Sequence, residues 1–218
     1  MQQRTSRLAV AIAAAMVLVA TGCRAPADQA RWDVEGLAVG RTLSAASPGP
    51  VPDTVADHDL TVRSDSTAAV TVVPGASGQG VALDFPSTGY TAVTAARPEG
   101  LSPHDRDFEV SAWVSVRTID IGSLGSNLMQ QGTYYQDQWK MEVDGGRAGC
   151  RFADGDVRSG AHAALVRSPN RIDDGSWWIL TCRKTANQVA VVVDRVGGSG
   201  PQTTALASQV GPSTAPSR

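Results

Sequence analysis

Three cysteines, three histidines, an adjacent pair of tyrosines and a few spaced carboxylates are the residues whose chemistry could exceed packing. Cys23, Cys150 and Cys182 contain no Cys-x-x-Cys, and only His58, His104 and His162 could join them, so zinc is a poor fit. A thiol nucleophile needs a base placed to activate it, and neither Cys150 nor Cys182 lies in a motif that supplies one. Retaining glycoside hydrolysis needs two carboxyl groups about 5 Å apart. The nearest run of that kind, Thr118-Ile119-Asp120-Ile121-Gly122, carries one acid, so Asp120 lacks a partner and no catalytic residue is assigned. Gly-x-Ser-x-Gly, a phosphate-binding Gly-Lys loop and His-Glu-x-x-His are also missing. Asp57 and Asp59 in "ADHDL" could offer oxygens to calcium, but that ion takes six or more, and loop acids before a strand are the plainer account. "GTYYQDQW" is the best ligand-binding candidate. Tyr134 and Tyr135 offer faces that stack on a sugar ring, while Gln136 and Asp137 offer hydrogen bonds.

The N-terminal residues set the compartment in which those groups work. Arg4 and Arg7 precede a run from Leu8 to Ala20 made only of Ala, Val, Leu, Ile and Met. It is shorter than the roughly twenty apolar residues of a membrane-crossing helix and fits the core of a secretory leader. Ala20-Thr21-Gly22-Cys23 then resembles a bacterial lipobox, with Ala20 where Leu is usual. That resemblance implies a diacylated Cys23 as first mature residue, anchored to the outer face of the cytoplasmic membrane. Ordinary cleavage, leaving a free thiol and a secreted protein, is the alternative. With Cys23 acylated, Cys150 and Cys182 remain as a pair in an oxidising compartment, and a disulfide is the expected use. It would close a loop of 32 residues, contributing about 3 to 4 kcal/mol.

Residues 1–22 thus read as leader and 23–30, "CRAPADQA", as tether. The roughly 195 residues after the leader suffice for one β-sandwich and are short for two domains. A net charge of −2 without clustered arginines excludes a nucleic-acid footprint.

The elements positioning these groups are short strands separated by Gly, Pro, Asp and Ser, an all-β spacing. "FEVSAWVSV" puts Phe108, Val110, Ala112, Val114 and Val116 on a core face. Trp113 falls on the otherwise polar face, either covered or forming an exposed platform. In "GVALDF", Val81, Leu83 and Phe85 oppose Ala82 and Asp84, which predicts a half-buried strand. "QWKMEVDGGRAGCRF" reads as a hairpin turning at Asp144-Gly145. Trp139, Met141 and Val143 share one side, with Gln138, Lys140 and Glu142 on the other. In "DDGSWWILTCRK", Cys182 shares a face with Leu180 and Trp178, and "NQVAVVVDR" ends the clear pattern.

In their order, "VALDFPSTGYTAV", "DFEVSAWVSV", "LMQQGTYYQDQWKMEVDGG" and "DDGSWWILTCRKTANQVAVVVD" resemble the laminin-G-like, concanavalin-A-type jelly roll over residues 31–195. The resemblance implies a two-sheet antiparallel sandwich, and subfamilies of this kind carry a cysteine pair at the positions of Cys150 and Cys182. Some members bind calcium. Some relatives in the superfamily hydrolyse glycosides with a Glu-x-Asp-x-Glu strand that has no counterpart at Asp120. Two departures stand out: Val193-Asp194-Arg195 where Val-Asp-Gly is usual, and a Gly/Ser/Thr/Pro-rich tail, residues 196–218, where further strands are usual. Either the sandwich is incomplete there, or "TTALASQV" completes its edge as one weak strand. The function expected is a lipid-anchored, non-catalytic module that recognises a glycan or another envelope component. The alternative is a scaffolding lipoprotein that contacts a protein partner and takes no small ligand.

Overall fold

A computed structural model describes residues 8–11, 30–47, 49–64, 68–87, 90–95, 101, 106–121, 125–132, 138–153, 163–185, 188–198 and 203–208. These form an all-β protein of antiparallel sheets, with no α-helix among the described residues. No helix among them is long and apolar enough to cross a membrane. The chain divides into two compact units, and strand β7 (Phe108–Arg117) gives Ala112–Ser115 to the first and its two ends to the second.

In the first unit, β2 (Thr42–Leu43), β4 (Val70–Pro74), β5 (Val81–Phe85) and β1 (Leu8–Ala11) pair in that order, and β1 also pairs with the middle of β7. Leu8–Ala11 are thus the strand between β5 and β7, although they belong to the segment that reads as leader. Strands β3 (Leu60–Ser64) and β6 (Thr91–Ala95) form a separate ladder. Leu43, Val51, Val70, Val72 and Leu83 are fully buried. Strand β5 departs from the expected alternation, because Ala82 and Asp84 are buried as well as Leu83. Period-2 alternation marks a strand with one wet face, and the middle of β5 has none.

In the second unit, β8 (Ser126–Gly132), β9 (Gln138–Asp144), β10 (Arg147–Ala153) and β11 (Ala163–Arg171) form one four-stranded sheet in chain order. Strands β12 (Asp174–Thr185), β13 (Gln188–Arg195) and β14 (Thr203–Ser208) form a second ladder, with β7 beside β12. The weak strand expected in the tail is β14, which pairs along β13 from Val193↔Thr203 to Gln188↔Ser208. The β9–β10 turn uses Gly145 and Gly146, at φ 57° and 77°. Two successive positive φ angles match the right-handed strand twist and favour glycine.

The core of this unit follows the expected alternation. Trp139, Met141 and Val143 of β9, Ala148, Cys150 and Phe152 of β10, and Trp178, Leu180 and Cys182 of β12 are all buried. Phe108 packs against Trp139 and Phe152, at ring-centroid distances of 5.0 and 6.1 Å. Cys150 and Cys182 are joined by a disulfide, with Cα atoms 5.6 Å apart, so one covalent bond ties β10 to β12.

Candidate functional site

Alternation in β9 puts a polar set of side chains opposite the core set. Gln138, Lys140, Glu142 and Asp144 share one face, and pairing extends it into rungs across the sheet: Gln130–Lys140–Arg151–Leu165 and Asn127–Glu142–Gly149–Arg167. A polar strand face is ordinarily wet, yet Gln138 is only 4 % exposed and Glu142 only 6 %.

Glu142 is the hub of this face. Lys140 Nζ contacts its Oε2, and Arg167 Nη2 lies 3.8 Å from its Oε1 while donating to Asp144 Oδ2 at 2.5 Å. Lys140 Nζ also donates to Asn127 Oδ1 at 3.4 Å, and Asn127 Nδ2 donates to Gln130 Oε1 at 2.9 Å. Gly149 sits in register between Glu142 and Arg167, and its lack of a side chain is what admits them. A Cβ there would lie 3.1 Å from Glu142 Cγ and 3.6 Å from Arg167 Cγ. The Gln138 Oε1 atom has no hydrogen-bond partner among the described residues, an uncommon state for a buried amide. The face therefore presents amides and paired charges of both signs at strand spacing, the donors and acceptors that a hydroxyl-rich ligand can match.

Glu142 and Asp144 are also a carboxylate pair at alternate strand positions, which a search centred on Asp120 passes over. Both are engaged by Arg167, and Glu142 also by Lys140. Asp120 is held by Arg117, whose Nε and Nη2 donate to its two oxygens at 3.0 and 3.2 Å.

The other sequence-stated candidates fall as follows. Tyr134, Tyr135, Gln136 and Asp137 lie outside the described residues, immediately before Gln138 in the chain, and Cys23, His104 and His162 lie outside them too. Trp113 is half-buried in β7, in register with Ala11, and none of the contacts of the polar face involves it. Asp59 accepts the Asp53 backbone N–H at 2.7 Å and Asp57 is exposed. Among the described residues no group of three or more His, Cys, Asp or Glu is arranged to hold a metal.

Structural acids organise two turns. Burial of Asp53 opposes its ionisation, but backbone N–H groups of Arg31, Val55, Ala56 and His58 outweigh it and hold the carboxyl below its ordinary range. Asp173 is also buried. Arg171, donating from Nε at 3.0 Å and Nη2 at 2.5 Å, and the Thr118 hydroxyl at 2.6 Å overcome that burial and lower its pKa. Asp174 accepts from Ser176 N and Trp178 Nε1, and Arg195 stands 5.7 Å from the Trp178 ring centroid. Family models, curated proteins and solved structures give no match to this chain.

Proposed function

We propose that the chain is an exported, lipid-anchored, non-catalytic binding module on a laminin-G-like jelly roll, and that the polar face of the β8–β11 sheet recognises a glycan. The observation that carries this is the burial of Gln138 and Glu142 on the face opposite the core, with Gln138 Oε1 unsatisfied among the described residues. Tyr134 and Tyr135, which precede Gln138 closely in the chain, are the aromatic residues proposed to stack on the sugar. Engagement of Glu142, Asp144 and Asp120 by Lys140, Arg167 and Arg117 supports binding over hydrolysis, since each of these three acids is held in an ion pair. The antiparallel ladders and the Cys150–Cys182 bond are compatible with the jelly-roll assignment and with an oxidising compartment.

A glycan array tests this, comparing wild type with the Tyr134→Ala/Tyr135→Ala double variant and with Gly149→Leu, whose side chain would crowd Glu142 and Arg167. A specific signal lost in both variants supports the proposal. Absence of signal from folded wild type moves the assignment to a scaffolding lipoprotein with a protein partner. Turnover of a polysaccharide that depends on Glu142 or Asp120 overturns the non-catalytic assignment.

A further inference from the structure

Leu8–Ala11 carry two assignments that exclude one another in the mature protein. By position they belong to the apolar core of a leader that is cut before Cys23. By structure they are β1, paired with β5 through Leu8↔Phe85, Ala9↔Asp84 and Val10↔Leu83, and with β7 through Ala9↔Ser115, Val10↔Val114 and Ala11↔Trp113.

Removing the leader takes away an interior strand and leaves two edges, β5 and β7, separated by two inter-strand spacings of about 4.8 Å. Each edge then presents unpaired N–H and C=O groups, a template for another strand. Phe85, Asp84 and Leu83 on one side and Ser115, Val114 and Trp113 on the other line the gap in register; Leu83 and Val114 are fully buried, and Asp84 is the one charged residue among the six.

We infer that the gap between β5 and β7 accepts an extended, apolar, proline-free strand from another polypeptide, antiparallel to both, in the place that Leu8–Ala11 mark. This rests on the leader assignment proposed above. Two stretches of residues 23–218 do not suit the gap by sequence. Arg24–Gln29 holds Pro26 between charged residues, and Gln209–Arg218 holds Pro212 and Pro216, which cannot donate to a ladder. Neither of these two stretches matches the strand that Leu8–Ala11 mark, and a partner protein with a short Ala/Val/Leu strand does.

The test uses the chain from residue 23 onward with Cys23→Ser, and as probe a labelled peptide of residues 7–13, RLAVAIA. Saturable binding with a rise in melting temperature is expected. A peptide with Val10→Pro should bind about tenfold more weakly or not at all, since it loses a ladder donor in the middle of the strand. If the mature chain does not fold alone, refolding by the first peptide and not by the proline peptide is the equivalent positive result. A folded mature chain that ignores both peptides, or one rescued by neither, overturns the slot. A separate arm determines the N-terminus of protein recovered from membranes. Retention of Leu8–Ala11 there overturns the leader assignment and the slot's opening together, whereas a start at Cys23 with no peptide binding overturns the slot alone.

Discussion

Reduction of the Cys150–Cys182 bond should lower the stability of the second unit by an amount set by the length of chain it encloses. For a separation of 32 residues the loop-closure entropy lost from the unfolded ensemble corresponds to about 3.7 kcal/mol. In a chain of 218 residues that becomes a fall in Tm of roughly 7 to 15 °C. Scanning calorimetry with and without a phosphine reductant reads this change. The Cys150→Ala/Cys182→Ala variant reads it together with packing, since both sulfurs are buried, within 4.0 Å of the Thr181 and Gly149 carbonyl oxygens. The double variant should be the less stable of the two, because alanine removes buried sulfur contacts that reduction keeps. A reduced protein melting within about 2 °C of the oxidised one would refute the loop-entropy account of this bond.

Acid should destabilise the fold through Asp173. Its folded pKa lies below the ordinary 3.8, so its contribution is full above about that pH and is lost as pH falls through the lower folded value. Asp173→Asn should flatten that part of a pH–Tm curve, and an unchanged curve would contradict it. Gly146→Ala should cost more than Gly145→Ala, although both have positive φ. A Cβ on Gly146 would meet Asp173 Oδ1 at 2.5 Å, whereas one on Gly145 meets nothing within 4 Å. Denaturant titration should give about 1 to 2 kcal/mol for Gly145→Ala and a larger loss for Gly146→Ala. Cys23→Ser should abolish palmitate labelling and move the protein from the membrane to the soluble fraction; labelling that persists would exclude Cys23 as the lipid site.

Much of this architecture is legible wherever a strand has one core face. The alternation of Val110 to Val116, of Trp139 to Val143 and of Trp178 to Cys182 can be counted directly, and the core-face residues of each run are buried. The disulfide is legible for a different reason, namely that three cysteines leave one pair once Cys23 is assigned elsewhere. The polar face is only half legible. Gln138, Lys140 and Glu142 can be placed together from β9 alone, but Arg167 reaches Glu142 from β11 through a register that shifts between Arg147 and Gly149. No local pattern encodes such a shift. The roles of Asp53 and Asp173 are likewise set by hydrogen bonds closing over long separations, from Arg31 to Asp53 and from Thr118 to Asp173.

The bond between β10 and β12 makes a covalent ring of everything from Cys150 to Cys182, including all of β11 and the Asp173 turn. Arg151, Arg167 and Arg171 lie inside it. A single proteolytic cut at any of them severs the backbone yet releases nothing. Arg167 and Glu142 stay on one molecule after such a cut, and only a reductant would part the fragments.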